Sequence, residues 1–268
     1  MIAEVFYARQ TIMYIQRDKM GTKAELIKGL KALRLSGVLE SLDLRLKQAQ
    51  EGELDCLEFF ELLVQDEIER RNIRRLQKRL KAASFEEEKT IETFDFSFNP
   101  KIPKARIREL LSCHFIDKKE HVIFCGPTGV GKTHLAQAIG HQACRLGYAV
   151  LFVKARKMFR ALYKARADGS WEGRIKNYVK PDLLIIDDFG LNPFKGYEAE
   201  DIYEIVCERY QKGSMILTSN RLIADWLSLF PDPLLGNSVL DRLAHQAYQI
   251  VIEGESYRRR QRVSVQEK

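Results

Sequence analysis

The stretch VIFCGPTGVGKT, residues 122–133, is the part of the sequence that most strongly determines the fold, because an apolar run passes directly into a glycine-rich segment. Its last eight residues match the pattern G-x-x-x-x-G-K-[ST] in full, and an amphipathic helix is predicted from Thr133 to Arg145. The glycines allow backbone N–H groups to curl around phosphate groups at the start of that helix. The sequence therefore predicts a phosphate-binding loop between a buried strand and a helix, and a turn without a ligand is the weaker interpretation.

Every residue of this loop is a candidate for contacting a nucleotide. Lys132 is expected to reach the β- and γ-phosphates, and the Thr133 hydroxyl is expected to bind Mg²⁺. The pattern thus indicates ATP and Mg²⁺ as cofactors. The predicted nucleotide-binding residues are Gly126, Pro127, Thr128, Gly129, Val130, Gly131, Lys132 and Thr133.

A second apolar run, Leu183 to Ile186, ends in two carboxylates. Ligands of open α/β sheets bind at the carboxyl ends of the strands. Asp187 is therefore predicted to hold Mg²⁺, and Asp188 is predicted to orient or deprotonate the attacking water. An Asp pair after a strand is, taken alone, more often a helix cap or a turn, but the loop upstream favours the catalytic interpretation.

A third apolar run ends at Asn220, in the segment ILTSN at 216–220. Some ATPases have an additional strand between the strand of the loop and the strand of the acid pair. In such sheets this edge faces the γ-phosphate, which makes Asn220 a candidate sensor of the nucleotide. The alternative is an ordinary asparagine at a strand-to-turn junction.

Beyond about residue 104 the sequence alternates between short apolar runs and amphipathic helices. Such runs are typical of buried parallel strands that helices cover on both faces. The predicted fold class is α/β, with a five-stranded parallel sheet in a domain over residues 104–254. The predicted strands are 122–125, 150–153, 183–186, 214–218 and 248–252.

The chain before this domain has a different pattern. Leucines at three- and four-residue steps predict a small all-α module over residues 22–83, with a second helix that Asp55 and Glu58 cap at its start. An acidic stretch followed by two prolines predicts a linker at 84–103. Residues 1–21 are interpreted as a leader, and residues 255–268 as a basic C-terminal tail.

Composition narrows the class of partner. The 268 residues include 44 Lys+Arg and 37 Asp+Glu, and the resulting net charge of +7 modestly favours polyanions. The five cysteines are scattered and include no CxxC pair, which predicts neither a disulfide framework nor a zinc ribbon and favours a reducing cytoplasm. No stretch approaches the roughly 20 apolar residues of a membrane span, so no membrane partner is expected.

Two basic stretches are candidates for contacting DNA. The first, residues 69–81, places cations opposite an apolar stripe of a predicted helix, and the second, residues 154–166, repeats cations at helical spacing. Both could neutralise backbone phosphates without reading bases, whereas a solvated helix surface is the alternative. The candidate contacts are Arg70, Arg71, Arg74, Arg75, Lys78 and Arg79 in the first stretch, and Arg156, Lys157, Arg160 and Lys164 in the second.

Several segments resemble the IstB/DnaC branch of the AAA+ ATPases, and two of them resemble the IstB transposition helpers of insertion sequences specifically. The first group is the phosphate-binding loop, LLIIDDFG at 183–190, ILTSN at 216–220, VLDRLAH at 239–245 and SYR at 256–258. The second is LIKGLKALRLSGVLESL at 26–42 and TFDFSFNP at 93–100. The resemblance extends over nearly the whole chain from about residue 22.

The resemblance implies a P-loop AAA+ domain, a sensor 1 role for Asn220 and an arginine finger at Arg242. Because only a short basic tail follows the last predicted strand, we expect the domain to lack the helical lid of larger AAA+ proteins. The finger would reach the ATP of a neighbouring subunit, which implies a homo-oligomer with ATP at its subunit interfaces. In the alternative, Arg242 forms a surface ion pair on a helix predicted over 236–247. Asp188 departs from the commoner Glu, and its shorter side chain changes the reach to water. Arg258 echoes a sensor 2 arginine only distantly.

These features predict an ATP-dependent DNA-binding helper of transposition that assembles on target duplex DNA and recruits or stimulates a partner transposase. A DnaC-like loader of the replicative helicase is the nearest alternative, since it shares the ATPase core. A non-catalytic DNA scaffold that binds nucleotide is a third interpretation, and a small-molecule P-loop kinase is the most remote.

Overall fold

The computed structural model describes residues 23–245 and 247–257. By their internal contacts the chain divides into two compact units, Met1–Arg75 and Leu76–Lys268. We call them the helical unit and the nucleotide unit. The leader predicted over 1–21 and Arg258 with the rest of the predicted tail lie outside the described residues.

The helical unit contains α1 (Lys23–Ala32), α2 (Ser36–Gln50) and the first part of α3 (Cys56–Ala83). Within residues 23–75, its buried apolar cluster consists of Val38, Leu42 and Leu63. Gly37 lets α2 approach α3 closely, because a Cβ atom there would lie 2.5 Å from the carbonyl oxygen of Asp66.

Polar contacts supplement this small core. Arg45 donates two hydrogen bonds to the carboxylate of Asp66, at 3.0 and 2.9 Å. The predicted cap of the second helix is confirmed: Asp55 Oδ1 accepts hydrogen bonds from the backbone N–H groups of Leu57 and Glu58, and Glu58 Oε2 accepts one from Asp55 N–H. These contacts fix the start of α3.

The nucleotide unit is built on a five-stranded sheet with the order β2-β3-β4-β1-β5, in which all neighbouring strands are parallel. This confirms the predicted α/β fold and its strands. The strands are β1 (His121–Cys125), β2 (Val150–Lys154), β3 (Leu183–Asp187), β4 (Ser214–Ser219) and β5 (Ala247–Val251).

Helices connect the strands. They are α4 (Lys104–Leu111), α5 (His114–Asp117), α6 (Lys132–Leu146), α7 (Ala155–Ala167), α8 (Trp171–Val179), α9 (Gly196–Arg209), a 3₁₀ helix (Ile223–Leu229) and α10 (Pro233–Ala244). None of the helices in the described residues combines the length and the apolar character needed to cross a bilayer.

Two apolar layers cover the sheet because successive strand residues point to opposite faces. Every residue of β1, β3 and β4 is buried. On one face Leu184 and Ile186 join a cluster with side chains of α7 to α10, whereas on the other Leu183 and Ile185 join a cluster with α4 and α6. The continuous apolar runs of the sequence therefore reflect burial on both faces.

One helix boundary differs from the sequence-based expectation. The helix predicted over 236–247 is α10, Pro233–Ala244, displaced by three residues. Asp232 caps it by accepting a hydrogen bond from Leu234 N–H at 2.9 Å, and Pro233 occupies its first position. It ends early because β5 begins at Ala247.

Residues 84–103, which we call the connecting segment, belong to the nucleotide unit and pack against the rest of it. The Phe85 ring stacks on His141 with ring centroids 4.1 Å apart, and Phe94 meets His134 edge to face at 5.0 Å. Asn99 is buried and donates a hydrogen bond to the Glu253 carbonyl at 2.6 Å. The segment predicted as a linker therefore contributes side chains to the surroundings of the phosphate-binding loop.

Candidate nucleotide-binding site

Three glycines give the phosphate-binding loop its shape. Gly126, Gly129 and Gly131 have φ values of +145°, +90° and +103°, which side chains disfavour. A Cβ atom on Gly126 would also lie 2.1 Å from the Ile252 carbonyl oxygen, and one on Gly131 would lie 2.8 Å from the Phe94 ring. The loop consequently needs glycine both for its conformation and for the close approach of its neighbours.

Lys132 is buried at the start of α6. Its ammonium group donates hydrogen bonds to the carbonyl oxygens of Gly126 and Pro127, at 2.7 and 2.8 Å, and to Asn220 Oδ1 at 2.8 Å. The Lys132 ammonium group therefore links the loop to the end of β4. Lys132 and Asn220, both predicted from the sequence, are in direct contact.

Asp187 ends β3 with only 1% of its surface exposed. Its Oδ1 atom accepts hydrogen bonds from the hydroxyls of Thr133, at 2.8 Å, and Thr218, at 2.6 Å. The predicted pair of magnesium ligands, Thr133 and Asp187, thus meets in one place. A hydroxyl and a carboxylate are oxygen donors of the kind that Mg²⁺ prefers, so these residues fit the cation.

Asp188 follows in the left-handed region, with φ +57°. Its backbone N–H donates a hydrogen bond to Thr218 Oγ1 at 3.0 Å. Thr218 therefore contacts both acidic residues, accepting from Asp188 and donating to Asp187. The sequence pattern alone assigns Thr218 no role, although it lies in the same ILTSN segment as Asn220.

A cavity of about 630 Å³ opens at this edge of the sheet. That volume lies within the range of about 300–1,000 Å³ common for ligand sites. It is lined by the loop from Thr128 to Thr133, by Asp187, Asp188 and Asn220, and by Phe94, Phe98 and Tyr257. Tyr257 N–H donates to the Gly129 carbonyl at 3.0 Å, and its ring meets Phe98 edge to face.

Arg242 lies on α10 and is not among the residues lining this cavity. Its guanidinium donates to the carbonyl oxygen of Ser238, at 2.9 Å, and to the Ser238 hydroxyl. The rings of Tyr203 and Tyr210 lie beneath it, with centroids about 6 Å from its central carbon. Arg242 is thus kept apart from the nucleotide cavity of its own chain.

The two basic stretches differ in how much of their charge is already engaged. On α3, Arg70 pairs with Glu40, Arg71 pairs with Glu67 at 2.7 Å, and Arg79 donates to the Cys144 carbonyl at 2.9 Å. Arg74, Arg75 and Lys78 are exposed. Three of the six cations predicted to contact DNA in this stretch are therefore already engaged within the chain.

On α7 the predicted cations share the exposed side of the helix. Met158 and Leu162 are fully buried, whereas Arg156, Lys157, Arg160 and Lys164 are exposed. A cavity of about 1,020 Å³ lies beside this helix and is lined by Lys154, Arg156, Arg160 and Asp188. This cavity therefore extends from the basic side of α7 to Asp188.

A phosphate-binding loop after β1, an acid pair after β3 and a polar strand end on the intervening β4 define an AAA+ P-loop protein that binds ATP. The family model described as the IstB-like ATP binding protein matches residues 28–265. The chain belongs to this family.

Relatives among known proteins agree with that assignment. The chain is 46% identical over 234 residues to an insertion-sequence protein from Mycobacterium tuberculosis that is named for ATP binding, covering 87% of this chain and 93% of the relative. It is 40% identical over 233 residues to the corresponding protein of the insertion sequence IS21 from Pseudomonas aeruginosa, covering 87% of each. The chain is thus an ATP-binding protein of the insertion-sequence type.

Solved structures support the fold. AMPPCP-bound DnaA from Aquifex aeolicus superimposes with a TM-score of 0.54 at 22% identity, covering 68% of this chain and 55% of that one. The DnaI structure gives a TM-score of 0.54 at 20% identity, covering 61% and 90%. The chain spans about half the length of the DnaA structure, and the similarity concerns the fold alone.

Proposed function

We propose that this chain is a Mg²⁺-dependent ATPase that assembles on duplex DNA with ATP between subunits and recruits or stimulates a partner transposase. The observation behind the ATPase part is that four predicted site residues meet in two pairs at one edge of the sheet. Lys132 contacts Asn220, and Thr133 contacts Asp187, each at 2.8 Å. In this proposal the helical module of residues 22–83 supplies assembly and DNA contacts, and residues 104–254 supply ATP binding.

The side chains divide the catalytic work. Lys132 exchanges its carbonyl partners for the β- and γ-phosphates, and Thr133 and Asp187 hold Mg²⁺. The cation, when bound, neutralises charge that develops on the transferred phosphoryl group. Asp188 orients and deprotonates the attacking water, and Asn220 holds that water and the γ-phosphate in line.

Arg242 would complete the site of a neighbouring subunit. Its position outside its own nucleotide cavity is what a finger acting in trans requires. Stabilisation of the transferring phosphoryl group by such an arginine accelerates hydrolysis by about 10³–10⁵-fold. Hydrolysis should therefore depend on assembly.

The DNA part of the proposal rests on charge and shape. The exposed cations of α7 lie on one side of the helix, and two of them, Arg156 and Arg160, line a cavity of about 1,020 Å³. The net charge of +7 adds a favourable long-range field. These cations would contact backbone phosphates and not base edges. We therefore expect the affinity for DNA to fall steeply with salt concentration and to depend little on the DNA sequence.

Phosphate release tests the ATPase. Lys132→Ala and Asp188→Asn should each lower DNA-stimulated hydrolysis by about 10²-fold or more, since each removes a group that acts on the reacting phosphate or water. Lys212→Ala, a substitution of an exposed lysine, is the matched control and should leave the rate unchanged. Equal rates in all four proteins would contradict the proposal and favour a nucleotide-binding scaffold.

Mixing two inactive proteins tests the finger. Lys132→Ala keeps Arg242 but lacks a working nucleotide site, whereas Arg242→Ala keeps the site and lacks the finger. If the finger acts in trans, the mixture should recover part of the hydrolysis that neither protein shows alone. A mixture as inactive as its components, with both proteins assembled on DNA, would show that Arg242 does not act across subunits.

Partner choice is tested by pull-down with the full chain and ATP. Retention of a transposase from an insertion sequence, and not of a replicative helicase, is the expected result. The reverse result would favour a helicase loader, whose ATPase core has the same elements.

A further inference from the structure

Glu86, in the connecting segment, bridges two lysines of the nucleotide unit. Its Oε2 atom lies 2.6 Å from Lys154 Nζ at the end of β2, and its Oε1 atom lies 2.9 Å from Lys157 Nζ on α7. Each carboxylate oxygen thus has its own ammonium partner. Glu86 is only 28% exposed at the side chain, less than either lysine.

Further positive charge surrounds this carboxylate. A cavity of about 290 Å³ is lined by Glu86, Lys154, Lys157 and Arg174, together with the polar Asn177. Three cations and one anion leave this cavity with excess positive charge. Two ammonium groups that each hold one oxygen of an anion form an arrangement that suits a phosphate as well as a carboxylate.

The electrostatics of the pair agree with the geometry. The hydrogen bonds from Lys154 and Lys157 lower the pKa of Glu86, so the carboxylate is charged at neutral pH. The hydrogen bond to Glu86 raises the pKa of Lys154, with smaller contributions from Asp187 and Asp188. Lys154 therefore lies within the fields of both Glu86 and the acid pair.

Lys154 also lies next to the exposed cations of α7. It lines the same 1,020 Å³ cavity as Arg156 and Arg160, the exposed cations proposed to contact DNA. A polyanion lying along α7 would bring its phosphates to the lysines that Glu86 occupies. The two anions would then compete for the same ammonium groups.

We propose that Lys154, Lys157 and Arg174 form a backbone-phosphate site for duplex DNA, and that Glu86 occupies this site as an internal substitute for the phosphate until DNA displaces it. The inference rests on the proposed DNA-binding function and adds a specific site to it. Lys154 and Glu86 also line the 630 Å³ nucleotide cavity, but no contact to the nucleotide or Mg²⁺ is assigned to either of them, and Arg174 is not among the residues lining that cavity. Glu86 lies outside the sequence motifs of the nucleotide site.

Competition of this kind makes a specific prediction about affinity. Removing the charge of Glu86 should strengthen DNA binding. In the unchanged protein, Lys154 and Lys157 must give up the Glu86 carboxylate before they bind a DNA phosphate, whereas in the variant they need not. We expect about a fivefold lower Kd at low salt, which corresponds to about 1 kcal/mol. The slope of log K against log salt should also steepen by about one, since an additional phosphate contact releases counterions.

The test is a fluorescence-anisotropy titration of labelled duplex DNA with the full chain, Mg²⁺ and a non-hydrolysable ATP analogue. Glu86→Gln is compared with Glu88→Gln, which makes the same change of charge two residues away on an exposed side chain. Glu86→Asp, which keeps the charge but is too short to span both lysines, provides a second variant. Thermal unfolding of each protein verifies that it is folded.

The expected order of affinity is Glu86→Gln above Glu86→Asp, with Glu88→Gln close to the unchanged protein. If Glu86→Gln and Glu88→Gln bind alike, only net charge matters and the internal-substitute site is refuted. If Glu86→Gln does not fold, a Glu86→Asp protein no tighter than the unchanged chain refutes it equally. Failure of the unchanged chain to bind duplex DNA would instead contradict the proposed function.

Discussion

The nucleotide unit and the helical unit are held together by different means. The nucleotide unit has an apolar layer on each face of its sheet, and it buries polar groups such as Lys132, Asp187 and Arg209 among defined partners. Among the described residues 23–75 of the helical unit, Val38, Leu42 and Leu63 are the buried large apolar side chains, and several others, including Leu57 and Phe60, are exposed.

This contrast indicates where the stability of each unit comes from. Apolar burial contributes about 25 cal/mol per Å² removed from water, so most of this contribution belongs to the nucleotide unit. The helical unit depends proportionally more on its cap and its ion pairs. We expect the two units to unfold with separate free energies, and the largest losses from single substitutions should occur in the nucleotide unit.

The two units can be followed by separate probes. The two tryptophans, Trp171 and Trp226, both lie in the nucleotide unit. Tryptophan fluorescence during urea unfolding therefore reports that unit, and hydrogen exchange of residues in α1 and α2 reports the helical unit.

The largest expected loss follows from Arg209→Met. The buried guanidinium donates hydrogen bonds to five carbonyl oxygens, those of Tyr178, Val179, Pro181, Asp182 and Ser214, at 2.5–3.1 Å. Removing it leaves buried acceptors without donors, and we expect fluorescence-detected unfolding to lose about 3–5 kcal/mol.

Arg209→Lys is the matched control, because an ammonium keeps the charge but supplies fewer donors. It should lose less than Arg209→Met. If Arg209→Met lowered the exchange protection of α1 and α2 as much as it lowers the stability of the nucleotide unit, the two units would unfold together and their stabilities would not be separate.

Leu63→Ala should have the next largest effect. Leu63 is 8% exposed in a core with few other buried side chains, and truncation should cost the helical unit about 2–4 kcal/mol. Exchange of α1 and α2 should accelerate while the fluorescence transition stays in place. Leu57→Ala, on the same helix at 75% exposure, should change neither measurement.

Asp66→Asn should give the smallest of the three losses. The hydrogen bonds from Arg45 lower the pKa of Asp66 below its usual value of 3.8, so the folded state favours the ionised carboxylate. A depressed folded pKa contributes stability above the unfolded pKa, and this contribution is lost as pH falls through the folded pKa. At pH 7 the substitution should cost the helical unit about 1 kcal/mol.

The difference between Asp66→Asn and the unchanged protein should therefore shrink below about pH 4. Asp43→Asn removes a carboxylate whose side chain is 76% exposed and serves as the control with little effect at either pH. A difference that persisted undiminished at low pH would mean that the Arg45 contact does not depend on the charge of Asp66.

The elements with strong local signals could be read directly from the sequence. The five strands were predicted because burial on both faces produces continuous apolar runs. The cap at Asp55 and the meeting of Lys132, Thr133, Asp187 and Asn220 followed from motifs whose spacing is tied to backbone geometry.

Other features depend on contacts between residues distant in sequence. From its neighbours in sequence, Arg209 would be expected to be a solvated cation at the end of a helix. The sequence around it does not indicate its five buried carbonyl partners. Glu86 belongs to a stretch that resembles an acidic linker, and its lysine partners come more than sixty residues later. The alternating phenylalanines at 94, 96 and 98 were the available signal that the connecting segment packs against the protein.

The end of β4 has a consequence for thermodynamic linkage. Asn220 accepts a hydrogen bond from the lysine expected to bind phosphate, and two residues earlier Thr218 donates one to the carboxylate expected to bind the cation. A ligand that displaces one of these two contacts changes the end of β4, which also makes the other contact. ATP should therefore raise the affinity for Mg²⁺ by the same factor by which Mg²⁺ raises the affinity for ATP, and Thr218→Val should diminish this mutual enhancement more than it diminishes either affinity alone.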